Sequence, residues 1–474
     1  MPTSDASRAD EQRVTTPKST IILRILTAML VLAVLLGLDV ALCLALQPYG
    51  SAADITWYEY RQCADEQVET LVLGTSTSQD GLNPQPLNER LSTNTVNLSS
   101  TCQSTESSLV ILRRALSDHP EIKRVLLGTS YSELESRERV DTTTLLTQAM
   151  ATGQDPVKAA ITYSRLFTDS AIGTRVQSMA ALVPFTLSHV SYTPSAIKSN
   201  VLTRLECESP IEAMEQRDSH WVNLGHGFAV HDVNADFATI PFSDVYGHFV
   251  AGENLDAHEL ASLKKLCAFC SSHDLELIVF VLPSPFFQQI SLGELYPQNM
   301  SQVRDLVEAN GATYLDFNLI HPDLFSTVET DFCDALHLNA DGALKFSAFL
   351  GDTIVDLESG QDLKPRFYSY EQWEEYLETT DQIWYAYFED ETVGSELQLT
   401  GIAFAGPSCQ VEYEYALLDE ASGEWQVFRD WSADPVCMLP ETGYGNVQVR
   451  LSVRQTGASE PERVRYRTVT CVGT

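Results

Sequence analysis

LVLGTSTSQDGLNP (residues 71–84) and RVLLGTSYSELE (residues 124–135) nearly repeat each other. Each is a short apolar run that closes on Leu-Gly-Thr-Ser, the pattern of a buried strand leaving its sheet through a small polar turn. Working outward, similar runs recur at NTVNLS (94–99), LELIVFVLP (275–283) and ATYLDF (312–317). Between them lie segments with helical spacing of apolar residues: SSLVILRRALSDH (107–119), LASLKKLCAFCSSH (260–273) and ADGALKFSAFLGDTIVDL (340–357). Strand and helix in alternation predict an α/β fold with a parallel sheet covered on both faces. The runs are nearly all apolar, as strands buried on both sides should be.

This rhythm defines an α/β domain over residues 66–358. It breaks between about 136 and 254, where a helical, polar stretch gives way to Gly-rich and aromatic text, WVNLGHGFAVHDVNADF (221–237). That segment is expected to be a helical or irregular insertion, placed as a lid would be. From 364 to 474 the pattern changes to period-two alternation, as in VEYEYALL (411–418), EWQVF (424–428), NVQVRLSV (446–453) and RVRYRTVTCV (463–472), and predicts a C-terminal β-sandwich.

Acidic residues outnumber basic ones 65 to 30, for a net charge of −35, so the field of the molecule repels phosphate backbones and nucleic acid is not an expected partner. Residues 21–46 form an apolar run interrupted only by Arg24 and Asp39, long enough as a helix to cross a hydrocarbon core of roughly 30 Å. Arg8, Arg13 and Lys18 precede it and only Arg61 closely follows it. The positive-inside rule then leaves a cytoplasmic tail at 1–20, a signal-anchor helix at 21–46, and the bulk of the chain outside a cell membrane crossed once. The rival reading is a cleaved signal peptide ending near Ser51-Ala52-Ala53. The run is longer than the roughly 7–15 apolar residues such a peptide needs, which favours the anchor. Asp39 inside the span is either wetted at the outer interface or in contact with another membrane protein.

Of ten cysteines, nine follow the anchor. In an oxidising compartment, two of Cys409, Cys437 and Cys471 are candidates to staple the small β domain. Cys267 and Cys270 form a CxxC inside a helical pattern with no second CxxC, and are read as helix packing, with a redox pair as the alternative.

Chemistry is expected beyond the carboxyl ends of the parallel strands, where ligands collect in open α/β sheets. Both Gly-Thr-Ser turns follow a strand, so Ser76 and Ser130 should face one crevice. Near the end of the domain, DFCDALHLNADGALKFSAFL (331–350) sets Asp334 three residues before His337, just ahead of an Asn-capped helix. That spacing lets a carboxylate reach an imidazole within one turn and fix its tautomer.

The order of these segments resembles the SGNH/GDSL-type hydrolases, in particular the membrane-anchored branch related to the DltD, alginate-acetylation and DHHW-type proteins of bacterial cell envelopes. GTSTSQDGLNPQPLNERL (74–91) is similar to the family's first block, NTVNLSSTCQSTESSLVILRRAL (94–116) to its second, and YLDFNLIHPDLFSTVETDFCDALHLNADG (314–342) to its last. The resemblance implies a three-layer, flavodoxin-like parallel sheet with Ser76 as nucleophile and Asp334 and His337 completing a triad. It also implies an oxyanion hole made by the backbone N–H of Ser76 with donors near Cys102 and Ser130. Cys102 stands where the second block usually has glycine, and Ser130 where the family's third strand ends in an asparagine. Whether the Ser130 hydroxyl donates to an oxyanion or closes its own turn stays open. The tail, YEYALLDEASGEWQVF with GYGNVQVRLSVR, resembles the triple-tyrosine immunoglobulin-like modules of some surface proteins.

The function this implies is that of an extracytoplasmic serine esterase or O-acyltransferase acting on acylated envelope glycans or glycopolymers, with no metal or organic cofactor. The competing reading is a non-catalytic, membrane-anchored surface protein that binds glycans or proteins; the departures at Cys102 and Ser130 favour it.

Overall fold

The structure, a computed structural model, describes residues 18–46, 48–135, 192–240, 254–285, 292–394, 396–440 and 445–471. Much of the expected insertion therefore lies outside the described residues.

Strands β1 (Thr70–Leu73), β2 (Thr95–Asn97) and β3 (Arg124–Thr129) come first; β4 (Trp221–Gly225) and β5 (Phe228–His231) form a separate hairpin; β6 (Glu276–Val281) and β7 (Thr313–Asp316) come next. Five of these make one sheet in the order β2-β1-β3-β6-β7, with every neighbouring pair parallel. The period of two explains why their runs are nearly all apolar. Leu71, Leu73, Val125, Leu127, Val279 and Val281 point into one core, whereas Val72, Leu126, Ile278 and Phe280 point into the other. Each such side chain contributes about 1.5–3 kcal/mol by leaving water.

Helix α1 is Lys18–Leu46 and α2 Ala52–Gln62; α3 (Ser76–Gly81), α4 (Pro84–Leu91), α5 (Thr105–Asp118) and α6 (Tyr131–Glu135) lie within the first half of the sheet. Helices α7 (Pro194–Glu206) and α8 (Pro210–Arg217) precede the hairpin; α9 (Ala257–Ser272), α10 (Leu295–Ala309), α11 (Ala340–Glu358) and α12 (Tyr370–Thr379) complete the set described. The first core is covered by α5, α9, α10 and α12, through residues such as Ile111, Leu266, Val303 and Trp373. The second is covered by α4 and α11, through Leu87, Phe346 and Leu350. Starts are set by caps: Ser104 accepts from Ser107 N–H for α5, Asp256 from His258 and Glu259 N–H for α9, and Asn339 from Gly342 N–H for α11. Cys267 and Cys270 are buried in α9, and burial pushes their thiols up to about 11 and about 12, as packing residues rather than reactive ones.

The register Leu73↔Leu127 sets Gly74 and Gly128 side by side at the ends of β1 and β3. A Cβ on either would come within 2.2 Å of the Ser78 hydroxyl, which fills the space both glycines leave. The repeated glycine is thus a packing requirement imposed by α3.

From Ile383 onward the chain is antiparallel. Strands β8 (Ile383–Val393), β9 (Glu396–Ala405), β10 (Val411–Asp419), β11 (Glu424–Ser432), β12 (Val436–Met438), β13 (Gly445–Gln455) and β14 (Arg463–Cys471) form two sheets, β11-β10-β13-β14 and β12-β9-β8. Alternate residues of both, including Phe388, Leu399, Tyr415, Leu451 and Val469, enclose one core. Helix α12, inside the segment expected to open the β domain, instead packs Tyr370 and Trp373 on the α/β core. Cys409 and Cys437 are free thiols, so the expected staple does not join them; the Cys471 side chain lies outside the described residues.

Helix α1 runs 29 residues, about 44 Å, with Ile22, Leu26, Leu30 and Leu35 each more than half exposed. Among the described residues no helix is long and apolar enough to cross a membrane. In α1 the side chains at 18, 19, 21, 36, 39, 40 and 43 are outside the described ones, which leaves 22–35 as its longest described run. The expected contact of Asp39 with another membrane protein falls on one of those side chains. The last carbonyls of α1 are held by α7: Asn200 donates to Leu46 O at 2.9 Å and Arg204 to Leu44 O at 3.1 Å.

Candidate active site

Ser76 is the first residue of α3, directly beyond the carboxyl end of β1, with Thr75 as an extended N-cap. The loop carrying Asp334 and His337 leads into α11. It is closed by its own backbone: Cys333 N–H donates to His337 O at 2.9 Å, and Asn339 N–H to Asp331 O at 3.0 Å. The Asp334 carboxylate accepts from the Leu336 and His337 amides, both at 2.7 Å. Its other oxygen lies 2.8 Å from His337 Nδ1, and His337 Nε2 lies 2.8 Å from Ser76 Oγ. Residues 261 positions apart thus meet as a Ser–His–Asp relay.

The charges suit this arrangement. Burial pushes the Asp334 carboxyl up, but the hydrogen bond and charge of His337 outweigh it and hold the group at about 2. Burial pushes the imidazole down, while the hydrogen bond and charge of Asp334 overcome that and raise it above its ordinary 6.5. Asp80, one helical turn beyond Ser76, is pushed up to about 7 by burial, with His337 opposing and Asp334 reinforcing the shift.

The turn that carries Ser76 is held from three sides. Asn97, fully buried at the end of β2, donates to the carbonyls of Ser78 at 3.0 Å and Leu82 at 2.9 Å. Ser347 of α11 donates to Gly81 O at 3.3 Å. Glu133, just beyond β3, accepts from the hydroxyls of Thr75 and of Thr77, the latter at 2.8 Å, so the residues on either side of Ser76 are tied to one carboxyl. Burial pushes Glu133 up to about 7 despite its hydrogen bonds to Thr77 and Ser130.

Ser130 does not repeat the geometry of Ser76. Its hydroxyl lies 3.1 Å from Ser132 Oγ and accepts from Glu133 N–H at 3.4 Å, inside its own turn. Cys102 is exposed and takes a left-handed φ of 53°, a conformation glycine adopts without strain. Sequence reasoning missed Glu133, Asn97 and Asp80. The one signal for Glu133 was Ser-x-x-Glu at 130–133, which spells a helix capping box and gives no hint of the second strand end it also holds.

No protein-family model and no curated protein matches this chain. Among solved structures, a crystal structure of an engineered protein is similar over 89% of this chain and 97% of its own, at 8% identity and a TM-score of 0.15, a likeness too slight to bear on fold or function.

Proposed function

We propose that this chain is a membrane-anchored, extracytoplasmic serine esterase or O-acyltransferase of the SGNH type, acting on acylated envelope glycans or glycopolymers. The observation that carries the reading is the relay Ser76 Oγ–His337–Asp334, with 2.8 Å at each step. In the reaction, His337 Nε2 takes the Ser76 hydroxyl proton as Oγ attacks the acyl carbonyl carbon, and Asp334 holds Nδ1–H and balances the imidazolium. The oxyanion is met by the Ser76 amide, one of the first-turn N–H groups a helix leaves unpaired. The alkoxide of the departing alcohol takes the proton back from Nε2. Water or an acceptor hydroxyl then attacks the acyl-serine by the same route in reverse, which separates esterase from transferase.

The sheet order β2-β1-β3-β6-β7 is the doubly wound order in which β1 and β3 sit side by side, and it supports the flavodoxin-like reading. The apolar run of residues 21–46 in the sequence supports the anchor; the glycan class rests on the family resemblance alone. The left-handed Cys102 and the inward-turned Ser130 favour the second reading, a non-catalytic surface protein.

Labelling the purified protein with a serine-directed fluorophosphonate tests the choice. The expected result is a single adduct on Ser76, lost in Ser76→Ala and strongly slowed in His337→Ala. Wild-type protein that takes no label while remaining folded would favour the non-catalytic reading.

A further inference from the structure

We propose that Asp80, His231 and Cys333 form a divalent-cation site, suited by its donors to zinc, that fastens the β4–β5 hairpin to the loop carrying Asp334 and His337. One carboxylate oxygen, one ring nitrogen and the Cys333 sulfur lie within 4.8 Å of one another. Ligands bound at about 2.0–2.3 Å around a tetrahedral zinc sit roughly 3.3–3.8 Å apart, so closure onto an ion needs shifts of about 1 Å. The three come from separate elements, α3, β5 and the loop before α11. They also combine carboxylate, imidazole and thiol, the donor types that zinc accepts together.

A second observation comes from behind the histidine. His231 Nε2 lies 3.1 Å from a carboxylate oxygen of Asp218, and Asp218 is itself fixed by the His220 amide at 2.9 Å. A carboxylate gripping one ring nitrogen sets the tautomer and presents the other as a lone pair, the arrangement that supports imidazoles at metal centres. Three protein ligands leave one position of a tetrahedron for water or a substrate oxygen, the pattern of a site that exchanges ligands. The chain's net charge of −35 favours cation capture.

This site does not rest on Ser76 being a nucleophile, and its test reads the metal directly. Full-length protein in detergent, stripped with a chelator, is titrated with Co²⁺ while the thiolate-to-cobalt absorption band is followed; Zn²⁺ is then added in competition. The expected result is one equivalent of Co²⁺ with a thiolate band, displaced by Zn²⁺ and abolished by Cys333→Ser. Asp218→Asn should weaken binding by about 10–100-fold, and circular dichroism should show each variant folded. A wild type without a thiolate band, or a band that survives Cys333→Ser, overturns the site. Hydrogen exchange tests the fastening: bound Zn²⁺ should slow amide exchange across Phe228–His231, and an unchanged rate overturns that role.

Discussion

The turns at Gly74-Thr75-Ser76 and Gly128-Thr129-Ser130 share a sequence and a sheet edge, yet their serines make different contacts. In both, glycine makes room for the Ser78 side chain, so this part of the repeat is shared packing. The serines diverge because the chain continues differently beyond each. After Ser76 it enters α3 with the hydroxyl turned to His337 Nε2, whereas Ser130 caps the short turn that presents Glu133. Glu133 then reaches back to Thr75 and Thr77. One turn carries the candidate nucleophile and the other braces it. A tetrapeptide fixes how a strand ends; the next four residues fix what its serine is for.

The largest effect should separate the two serines outright. Ser76→Ala or His337→Ala should lower turnover of a small acyl ester on the order of 10⁴–10⁶-fold, and Asp334→Asn about 10⁴-fold, in a steady-state assay. Comparable losses from Ser76→Ala and Ser130→Ala would erase the distinction between the turns.

Next come the glycines, which should differ despite their shared neighbour. Gly128→Ala would press on Ser78 Oγ and on the flexible tip of Leu282, so it should cost about 1–3 kcal/mol and be partly rescued by Ser78→Ala. Gly74→Ala meets the Gly128 carbonyl at 2.6 Å and Ser78 Cβ at 2.7 Å, at a φ of +147°, so Ser78→Ala should not rescue it. A double-mutant cycle by urea unfolding decides this, and equal rescue at both positions would show that the strand ends are interchangeable.

The brace has a pH signature. Burial raises Glu133 from 4.5 to about 7, so between these values the folded state holds a proton that the unfolded state has released. Stability from this group is therefore greatest below about pH 4.5 and falls as pH rises through 7, the reverse of a salt-bridged carboxylate. Solvent reaches this half-buried group, so the contribution is on the order of 1–2 kcal/mol. Glu133→Gln should flatten the pH dependence of the unfolding midpoint over that window; an unchanged slope would remove Glu133 as its source.

Much of this was legible in the sequence, and the exceptions have physical reasons. The five sheet strands stood out because burial on two faces made their centres nearly all apolar, with polar residues mostly at the strand ends. Asp334 and His337 stood out because one turn of chain holds both. Glu133 did not, since its partners Thr75 and Thr77 lie 58 and 56 residues away and Ser-x-x-Glu already has a local meaning. Strand β8 was hidden for another reason: Ile383, Ala386 and Phe388 face the β core while Tyr385 packs into the α/β core, so IWYAYF shows a block of apolar residues where alternation was sought. The hairpin β4–β5 reads as irregular because its two strands are only five and four residues long and meet at a Gly-His-Gly turn.

The smallest expected effect is the most informative about the repeat. If Ser130 only caps its turn, Ser130→Ala should cost about 0.5–2 kcal/mol of stability, as the loss of a helix cap does, and leave turnover near that of the wild type. If its hydroxyl also donates to the oxyanion, the same change should slow turnover by about 10²–10³-fold with substrate binding nearly unchanged. The geometry favours the first outcome, because the hydroxyl is engaged inside its own turn, hydrogen-bonded to the Glu133 side chain and 3.1 Å from Ser132 Oγ. Ser130→Asn sharpens the test. Asparagine also caps well, so stability should hold, and its longer amide arm could supply an oxyanion donor that serine does not. Turnover that rises in Ser130→Asn while Ser130→Ala stays at the wild-type rate would mean that the second Gly-Thr-Ser is a brace standing where a donor can be built. A large loss in Ser130→Ala would instead make both serines part of the chemistry.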